Sequence, residues 1–443
     1  MKQLRILIIT TVLLVAFGPL ISHAQEVKQL SLQEAIELGI KNSKQLKASE
    51  ARNEEATGAL REARDNKLPN ASFSGSYLRL TSPNVSVKTK AFGGGGADTV
   101  SSPSVNQAMY GILNVSLPIY AGGKIRYGIE SARYFRQATL LDAENNKEAV
   151  ILNTIDAYIN LYKAAVTVNV VKENLQQSLQ RDSVLSRLEQ NGLLARNDLL
   201  KSQLQSSTIE LSVLDAENNR KIATVNMNLM LGLPEQTTLV TDSSTFEKNI
   251  SVKNLDEYEL LAFQNRKDVL ALSFRKKAAT SGISAIKAEM YPSIALTGGY
   301  IAADIPHVIT ITNAVTAGVG IQYNLGSLWK TRAKIVQAQA REKEITANQA
   351  ELDDNIRLHI NQDYENFLLT QKKTDVYQKA VLQATENYRI TKNKFDNNLV
   401  NTTDLLDANV SLLQSKINLA VGKADVILAY NRLLQTSGIL SAH

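Results

Sequence analysis

Two long stretches without glycine or proline constrain the fold of this 443-residue chain more than any other feature. Neither residue occurs over the 63 residues from 129 to 191 or over the 95 residues from 327 to 421. One helix of 63 residues would be about 95 Å long, which exceeds the diameter of an ordinary domain. Apolar residues at 151, 155, 158 and 162 step by four and three, as in packed antiparallel helices. These stretches therefore predict long coiled-coil hairpins.

The chain is an internal repeat. At an offset of 223, the segment 68–77 aligns with 291–300, and proline, glycine and tyrosine coincide. At an offset of 206, the Asp-Leu-Leu segment 198–200 aligns with 404–406. The difference between the two offsets predicts one insertion in the first half, between Tyr77 and Val115. We expect a first repeat over 25–234, a linker over 235–254, and a second repeat over 255–443 that ends in a short tail.

Residues 1–24 have the pattern of a secretory signal peptide. Lys2 and Arg5 precede an apolar run, and Ser22 and Ala24 supply small residues at the expected cleavage site. The mature chain is expected to start near Gln25 and to be exported. No later stretch reaches the about 18 consecutive apolar residues of a membrane-spanning helix, so any membrane crossing would need a β-barrel.

Four segments between the helices alternate apolar and polar residues, and residues matched by the repeat share a face. They lie at 70–77, 109–119, 293–300 and 319–325. This pattern is typical of a transmembrane β-barrel, with a soluble β-sandwich as the alternative. Four strands cannot close a membrane barrel, because the smallest have about 8 strands, so several chains must share one. The aromatic residues where strands meet helices fit the membrane interface: Tyr120, Tyr291 and Trp329.

The hairpin turns are predicted at Asn191-Gly192 and at Asn397-Asn398, because these residues tolerate the left-handed conformation that ends a helix. Asp198 and Asp404 then fall in the first turns of the return helices, where a carboxylate suits the helix dipole. Helix capping and a functional role are both open for these two aspartates.

Catalytic, metal and cofactor sites are not expected. The chain has no cysteine, and its four histidines are scattered without ligand-like spacing. The formal net charge is +6, and basic residues alternate with acidic ones along the chain, which is not the pattern of a nucleic-acid-binding surface. The sequence therefore predicts neither an enzyme nor a nucleic-acid-binding protein.

Together these features resemble the TolC family of outer membrane efflux and secretion channels over nearly the whole mature chain. The strand starts at Leu68-Pro69 and Tyr291-Pro292, the two long hairpins, and the turn segments 191–200 and 398–407 carry the resemblance. It implies a mainly α-helical fold with a β-barrel part, in which a homotrimer shares a 12-stranded barrel in the outer membrane. An α-helical barrel would continue from it as a tunnel into the periplasm.

The resemblance also implies a function and partners. The trimer would be the exit duct of a tripartite efflux or type I secretion system, opened at its periplasmic tip by an adaptor (a membrane fusion protein) and an inner-membrane RND or ABC transporter. The transported substrate is not identified by the sequence. A periplasmic adaptor and an exported structural coiled coil or adhesin are alternatives, although an adaptor carries one hairpin and this chain has two.

Specific residues follow from the resemblance. Asp404 and Asp407 match the two family aspartates that form acidic rings at the closed periplasmic entrance. The residues expected at the hairpin tips and in adaptor contact are Asn191, Gly192, Leu193, Leu194, Asp198, Asn397, Asn398, Leu399 and Val400. Asn398 replaces the usual tip glycine and Val400 replaces a basic residue that helps to lock the best-known member, which leaves the gating latch open.

Overall fold

The computed structural model describes residues 27–81, 106–242, 250–306 and 309–440. The predicted signal peptide, 1–24, and most of the predicted insertion lie outside the described residues. The first half contains β1 (Val27–Leu30), α1 (Leu32–Asn42), α2 (Lys44–Asp65), β2 (Asn70–Arg79), β3 (Gln107–Ala121), α3 (Lys124–Gln190) and α4 (Arg196–Leu231). The second half contains β4 (Thr238–Thr241), α5 (Leu255–Asn265), α6 (Lys267–Lys287), a 3₁₀ turn (Ala288–Met290), β5 (Ser293–Ile305), β6 (Ile309–Gln322), α7 (Ser327–Asp396) and α8 (Thr402–Thr436).

The two halves follow the same order of elements, and the predicted fold of long helical hairpins with four long strands is confirmed. Each half places two helices, two long strands and a helical hairpin after a short strand. The outgoing helices α3 and α7 have 67 and 70 residues, as the absence of interior breakers from most of their length predicts. We call α3 with α4 the first hairpin and α7 with α8 the second hairpin. The repeat boundaries at 25–234 and 255–443 stay a prediction.

The described residues form two compact units, each drawn from both halves of the chain. The sheet unit consists of Ser49–Glu144 and Lys267–Asp354, and it contains the four long strands. The hairpin unit consists of Asn145–Arg266 with the residues up to 48 and those from 355 onward. Among the described residues, no helix is both long enough and apolar enough to cross a membrane.

The sheet unit contains one antiparallel sheet in the order β2-β3-β5-β6. The register pairs Phe73 with Leu113, Leu113 with Tyr300, and Tyr300 with Val315. Apolar residues from all four strands therefore lie on one face, as the alternation predicts. A β-bulge between Pro118 and Tyr120 shifts this pattern by one residue, so that Tyr120 rather than Ile119 pairs with Ile294.

The hairpin unit has its core where α3, α4 and α8 pack with α1 and the two short strands. Strands β1 and β4 pair in parallel. The hydroxyl of the fully buried Tyr158 donates to the carbonyl oxygen of Leu30 at 2.9 Å and accepts from the backbone N–H of Asp242 at 3.0 Å. Burial raises the pKa of this phenol, because desolvation disfavours its charged form. The core side chains include Leu30, Ile155, Ile159, Met227, Leu231, Ile427 and Leu428.

Candidate functional site

The first hairpin turns at Asn191 and Gly192 with a Schellman motif. Gly192 has a φ of 72°, and its N–H donates to the carbonyl oxygen of Glu189 at 2.9 Å. The N–H of Leu193 donates to the carbonyl oxygen of Leu188 at 2.8 Å. This pair of bonds satisfies carbonyl groups that the end of a helix leaves unpaired. The turn therefore lies where the sequence predicts it.

The second hairpin turns with the same bonds at positions shifted by 206. Asn398 has a φ of 58°, and its N–H donates to the carbonyl oxygen of Phe395 at 2.9 Å. The N–H of Leu399 donates to the carbonyl oxygen of Lys394 at 2.8 Å. The side-chain amide of Asn397 donates to the carbonyl oxygen of Asn393, as that of Asn191 does to Arg187. An asparagine thus occupies the left-handed position that a glycine occupies in the first hairpin.

Asp404 belongs to a capping box at the start of α8. The side chain of Asn401 accepts from the N–H of Asp404 at 2.9 Å, and the Asp404 carboxylate accepts from the N–H of Asn401 at 3.3 Å. These two bonds satisfy backbone donors that the first turn of a helix leaves unpaired. Capping therefore accounts for the carboxylate of Asp404, which is nevertheless exposed.

The other two predicted aspartates lie in different surroundings. Asp407 follows Asp404 by three residues on α8 and is exposed. Residues three apart share a face of a helix, so both carboxylates lie on one face of α8. Asp198 is half-buried in the first turn of α4, 3.5 Å from the ammonium group of Lys201. The helix α4 begins after Ala195, which provides no side-chain cap.

Each turn carries one highly exposed leucine. Leu193 is 70% exposed and Leu399 is 73% exposed, and both follow the left-handed residue directly. The next residues, Leu194 and Val400, are half-buried. Each hairpin end therefore exposes one large apolar side chain.

A polar cluster in the body of the first hairpin was not anticipated from the sequence. The hydroxyl groups of Ser202 and Ser206 on α4 donate to the two carboxylate oxygens of Asp182 on α3. Ser178 is hydrogen-bonded to Ser206 and accepts from Arg181 Nη2 at 3.0 Å. All three serines are buried. The only signal in the sequence was the pair of serines spaced by four, which places them on one face of a helix.

The predicted interfacial aromatic residues all lie at one end of the sheet. Tyr120 is next to the last residue of β3, Tyr291 precedes β5, and Trp329 is in the first turn of α7. All three side chains are exposed. Gly122, with a φ of 61°, passes so close to Tyr291 that a Cβ atom on it would lie 2.7 Å from the Cβ atom of the tyrosine. Only glycine fits this position.

The sequence did not predict an ion-pair network that lies at the same end of the sheet. Glu289, in the 3₁₀ turn, lies 2.9 Å from the ammonium group of Lys124 and 2.8 Å from that of Lys334. Hydrogen bonds from Lys334 and Lys124 lower the pKa of the Glu289 carboxyl group. The network joins the residues before β5 to the first turn of α3 and the second turn of α7. No group of three or more potential metal ligands occurs among the described residues.

Comparisons with known proteins agree with this arrangement. A family model described as outer membrane efflux protein matches residues 35–233 and again residues 260–438, once in each half and over most of the chain. The chain is 23% identical over 420 residues to toxin and drug export protein A of Aggregatibacter actinomycetemcomitans, covering 91% of this chain and 85% of that protein. It is 22% identical over 411 residues to the outer membrane efflux protein BepC of Brucella suis biovar 1, covering 88% and 87%.

Solved structures share the fold. The outer membrane protein VceC of Vibrio cholerae superposes with a TM-score of 0.76 at 18% identity, covering 92% of this chain and 96% of that one. The CmeC outer membrane channel of Campylobacter jejuni gives 0.76 at 16% identity, covering 92% and 86%. The family match confirms the predicted resemblance, outer membrane location and general role in efflux. The matched family consists of efflux proteins and not of enzymes, which agrees with the expectation from the sequence.

Proposed function

The chain belongs to the outer membrane efflux protein family, and on that premise we propose that it forms a homotrimeric channel-tunnel. The trimer is the exit duct of a tripartite efflux or type I secretion system. A periplasmic adaptor and an inner-membrane RND or ABC transporter open the duct at its periplasmic tip. The tip consists of the two turns, 191–195 and 397–401.

The observation that carries the proposal is the matched geometry of the two turns. Both end an outgoing helix with the same Schellman bonds, and both present an exposed leucine in the same place, Leu193 and Leu399. Each chain would present two such leucines, one at each hairpin end, and a trimer would present six. Exposed apolar groups at repeated positions suit a partner that binds both turns with the same contacts.

Exposed apolar surface on α4 supports the homotrimer. Seven exposed apolar residues recur along α4 at steps of three, four, seven and eight, the spacing of one face of a coiled coil. They are Leu200, Leu204, Leu211, Leu214, Ile222, Val225 and Leu229. Such a stripe costs free energy in water and is covered when another copy of the chain packs against it.

The exposed apolar face of the sheet supports a shared barrel. Phe73, Tyr77, Val315, Val319 and Ile321 are exposed on this face. Outer membrane lipid would cover it if the strands of three chains closed into twelve. Tyr120, Tyr291 and Trp329 would then lie at the membrane interface, where amphipathic rings are favoured.

Asp404 and Asp407 are proposed as the entrance gate. Three copies around one axis would place six exposed carboxylates close together, and like charges held together favour bound cations. Single-channel conductance in planar bilayers tests this role. We expect a divalent-cation block from one side of the membrane, and we expect the variant Asp404→Asn with Asp407→Asn to lose it. An unchanged block would exclude the gate.

Export in cells tests tip docking. The compounds to follow are those that cells retain when the gene is deleted. Cells that carry Leu193→Ser with Leu399→Ser should retain them as the deletion strain does, while trimers are recovered in normal amount. The matched control is Leu260→Ser, another exposed leucine in the hairpin unit. Normal export with both turn leucines replaced would contradict the proposed docking role, and loss of trimers would show that the leucines only pack.

A further inference from the structure

The register of the sheet follows the internal repeat residue by residue. Within the first half, β2 and β3 pair Phe73 with Leu113 and Asn70 with Ser116. The offsets of 223 and 206 carry these pairs onto Leu296 with Val319 and Ser293 with Gln322, and both are pairs of β5 and β6. The two strand hairpins are therefore copies of each other in register as well as in sequence.

The joint between these copies is also in the structure. Strand β3 ends the first strand hairpin and β5 begins the second, and they pair antiparallel. Their facing residues on the apolar side are Leu113 with Tyr300, Val115 with Gly298, and Leu117 with Leu296. The pairing of β3 with β5 therefore shows the register in which the last strand of one strand hairpin pairs with the first strand of the next.

The two edges of the sheet are β6, the counterpart of β3, and β2, the counterpart of β5. Because the four strands alternate in direction, β6 of one copy would run antiparallel to β2 of the next copy. We infer that β6 of one copy pairs with β2 of the next in the register of β3 with β5. The offsets then place Val319 opposite Tyr77, Ile321 opposite Gly75, and Tyr323, the residue directly after β6, opposite Phe73. This inference rests on the proposed function, in which copies of the chain share one barrel.

Side-chain size also supports this register. The in-chain joint places an aliphatic residue opposite a tyrosine, a β-branched residue opposite a glycine, and a large apolar residue opposite another. The inferred pairs repeat all three combinations. The ring of Phe73 lies next to Gly75, because a Cβ atom built on Gly75 would be 3.6 Å from the ring. In the inferred register the β-branched Ile321 faces this glycine, which is the smallest residue of β2.

Other registers lose this match. A slip of one residue would move Val319 opposite Ser76 or Leu78, on the polar face of β2, and so would bury polar groups against lipid. A slip of two residues keeps the faces but places Tyr77 opposite Ala317 or Ile321, and Val319 opposite Gly75 or Arg79. Only the inferred register combines a β-branched residue opposite Gly75 with a branched aliphatic residue opposite Tyr77, as the in-chain pairs Val115 with Gly298 and Leu113 with Tyr300 do.

Disulfide cross-linking tests the inference, and the chain suits it because it has no cysteine. The test variant is Tyr77→Cys with Val319→Cys. The matched controls, slipped by two residues, are Tyr77→Cys with Ala317→Cys and Tyr77→Cys with Ile321→Cys. The positive control for oxidation is Leu113→Cys with Tyr300→Cys, which face each other within one chain. Purified outer membranes are oxidised with copper phenanthroline and run on non-reducing gels.

The test variant should give covalent dimers and trimers, with a yield about tenfold above either control, because a disulfide bridges directly facing residues but not diagonal ones. The positive control should give only an oxidised single chain. A higher yield from a slipped control would overturn the register. So would trimers that never cross-link through the test pair although the positive control oxidises. Light scattering of the same preparations separates these results from failure of the proposed function, in which no trimer would be recovered.

Discussion

The two halves of the chain build the same hairpin turn but stabilise their hairpins in different places. The first hairpin turns through Gly192, has no side-chain cap at Ala195, and is tied in its body by Asp182 and three buried serines. The second hairpin turns through Asn398 and has a capping box at Asn401 and Asp404. The residues that match Ser178, Asp182, Ser202 and Ser206 at the offset of 206 are Ala384, Tyr388, Ala408 and Leu412.

This difference separates what the turn requires from what each hairpin adds. The turn requires a residue that accepts a left-handed conformation, and glycine and asparagine both meet that requirement. The serine cluster lies in the body of the first hairpin, and the capping box lies at the end of the second. The return helix of the second hairpin, which carries the two proposed gate aspartates, is therefore held at its first turn.

The largest expected effect comes from breaking the cluster of the first hairpin. Asp182→Ala would remove the charged acceptor of the buried hydroxyl groups of Ser202 and Ser206. Hydrogen bonds to charged groups contribute about 1.5–3 kcal/mol, so we expect a loss of about 2–3 kcal/mol per chain. Thermal unfolding of the detergent-solubilised protein, followed by far-UV circular dichroism, measures it. The control Glu210→Ala removes an exposed carboxylate from α4 and should change the midpoint little; equal shifts would contradict a role for the cluster.

Exchanging the capping residues should change the stability of the two hairpins in opposite directions. Asn401→Ala removes the cap of α8 and should cost about 1 kcal/mol. Ala195→Asn should stabilise the start of α4 by a similar amount, because Ala195 already has the extended backbone of a capping residue, with φ −68° and ψ 140°. Hydrogen exchange of the amides in the first turns of α4 and α8 reports each change locally. Destabilisation by both substitutions would show that the turns do not share one geometry.

Exchange of the left-handed residues should have a smaller effect. Gly192→Ala should destabilise the first turn by about 1 kcal/mol, because a side chain is strained at a φ of 72°. Asn398→Gly should be close to neutral or stabilise by a few tenths of a kcal/mol, since asparagine already tolerates this conformation. The same hydrogen-exchange measurement compares the two. A large loss from Asn398→Gly would mean that the asparagine side chain has a further role at the tip.

The smallest expected effect is electrostatic and concerns the joints between strand hairpins. Because the pKa of Glu289 is lowered in the folded chain, its stabilisation is complete above the ordinary value of 4.5 and is lost as the pH falls through the lowered pKa. Partly exposed ion pairs contribute less than about 1 kcal/mol. Glu289→Gln should therefore lower the unfolding midpoint slightly at pH 7 and by less near pH 3. An equal shift at both pH values would exclude the ion pairs as the cause.

The joint between copies offers the complementary change. At the offset of 223, Asn66 matches Glu289, and at the offset of 206, Lys330 matches Lys124. Asn66→Glu should therefore add an ion pair with Lys330 of the neighbouring copy and raise the temperature at which trimers dissociate on gels. The rise should disappear at high salt, because partly exposed pairs are screened. No change at low salt would show that the two joints differ in geometry.

The long-range plan of this fold could be predicted from the sequence. Glycine and proline are absent over lengths that only long helices can use, so α3 and α7 were predictable, and Asn191, Gly192, Asn397 and Asn398 marked their ends. The shared apolar face followed from alternation. The offsets predicted that the halves match, and the strand registers agree with both of them.

The polar details could not be predicted, because they depend on which helix faces which. Asp182, Ser202 and Ser206 are ordinary polar residues in the sequence and form a cluster only when α3 and α4 pack in one register. Glu289 meets Lys124 across 165 positions of the chain. The bulge after Pro118 interrupts an alternation that otherwise continues through Ile119. The roles of Asp404 and Asp407 at the entrance, and of the turn residues in docking, stay predictions.

The most direct test of the proposed duct is the mass of the protein extracted from the outer membrane. The envelope is fractionated, the outer membrane is solubilised in detergent, and the particle is weighed by light scattering with correction for bound detergent. We expect three chains per particle, recovered from the outer membrane. A particle of one chain, or a soluble periplasmic particle of any size, would contradict a barrel shared by three copies.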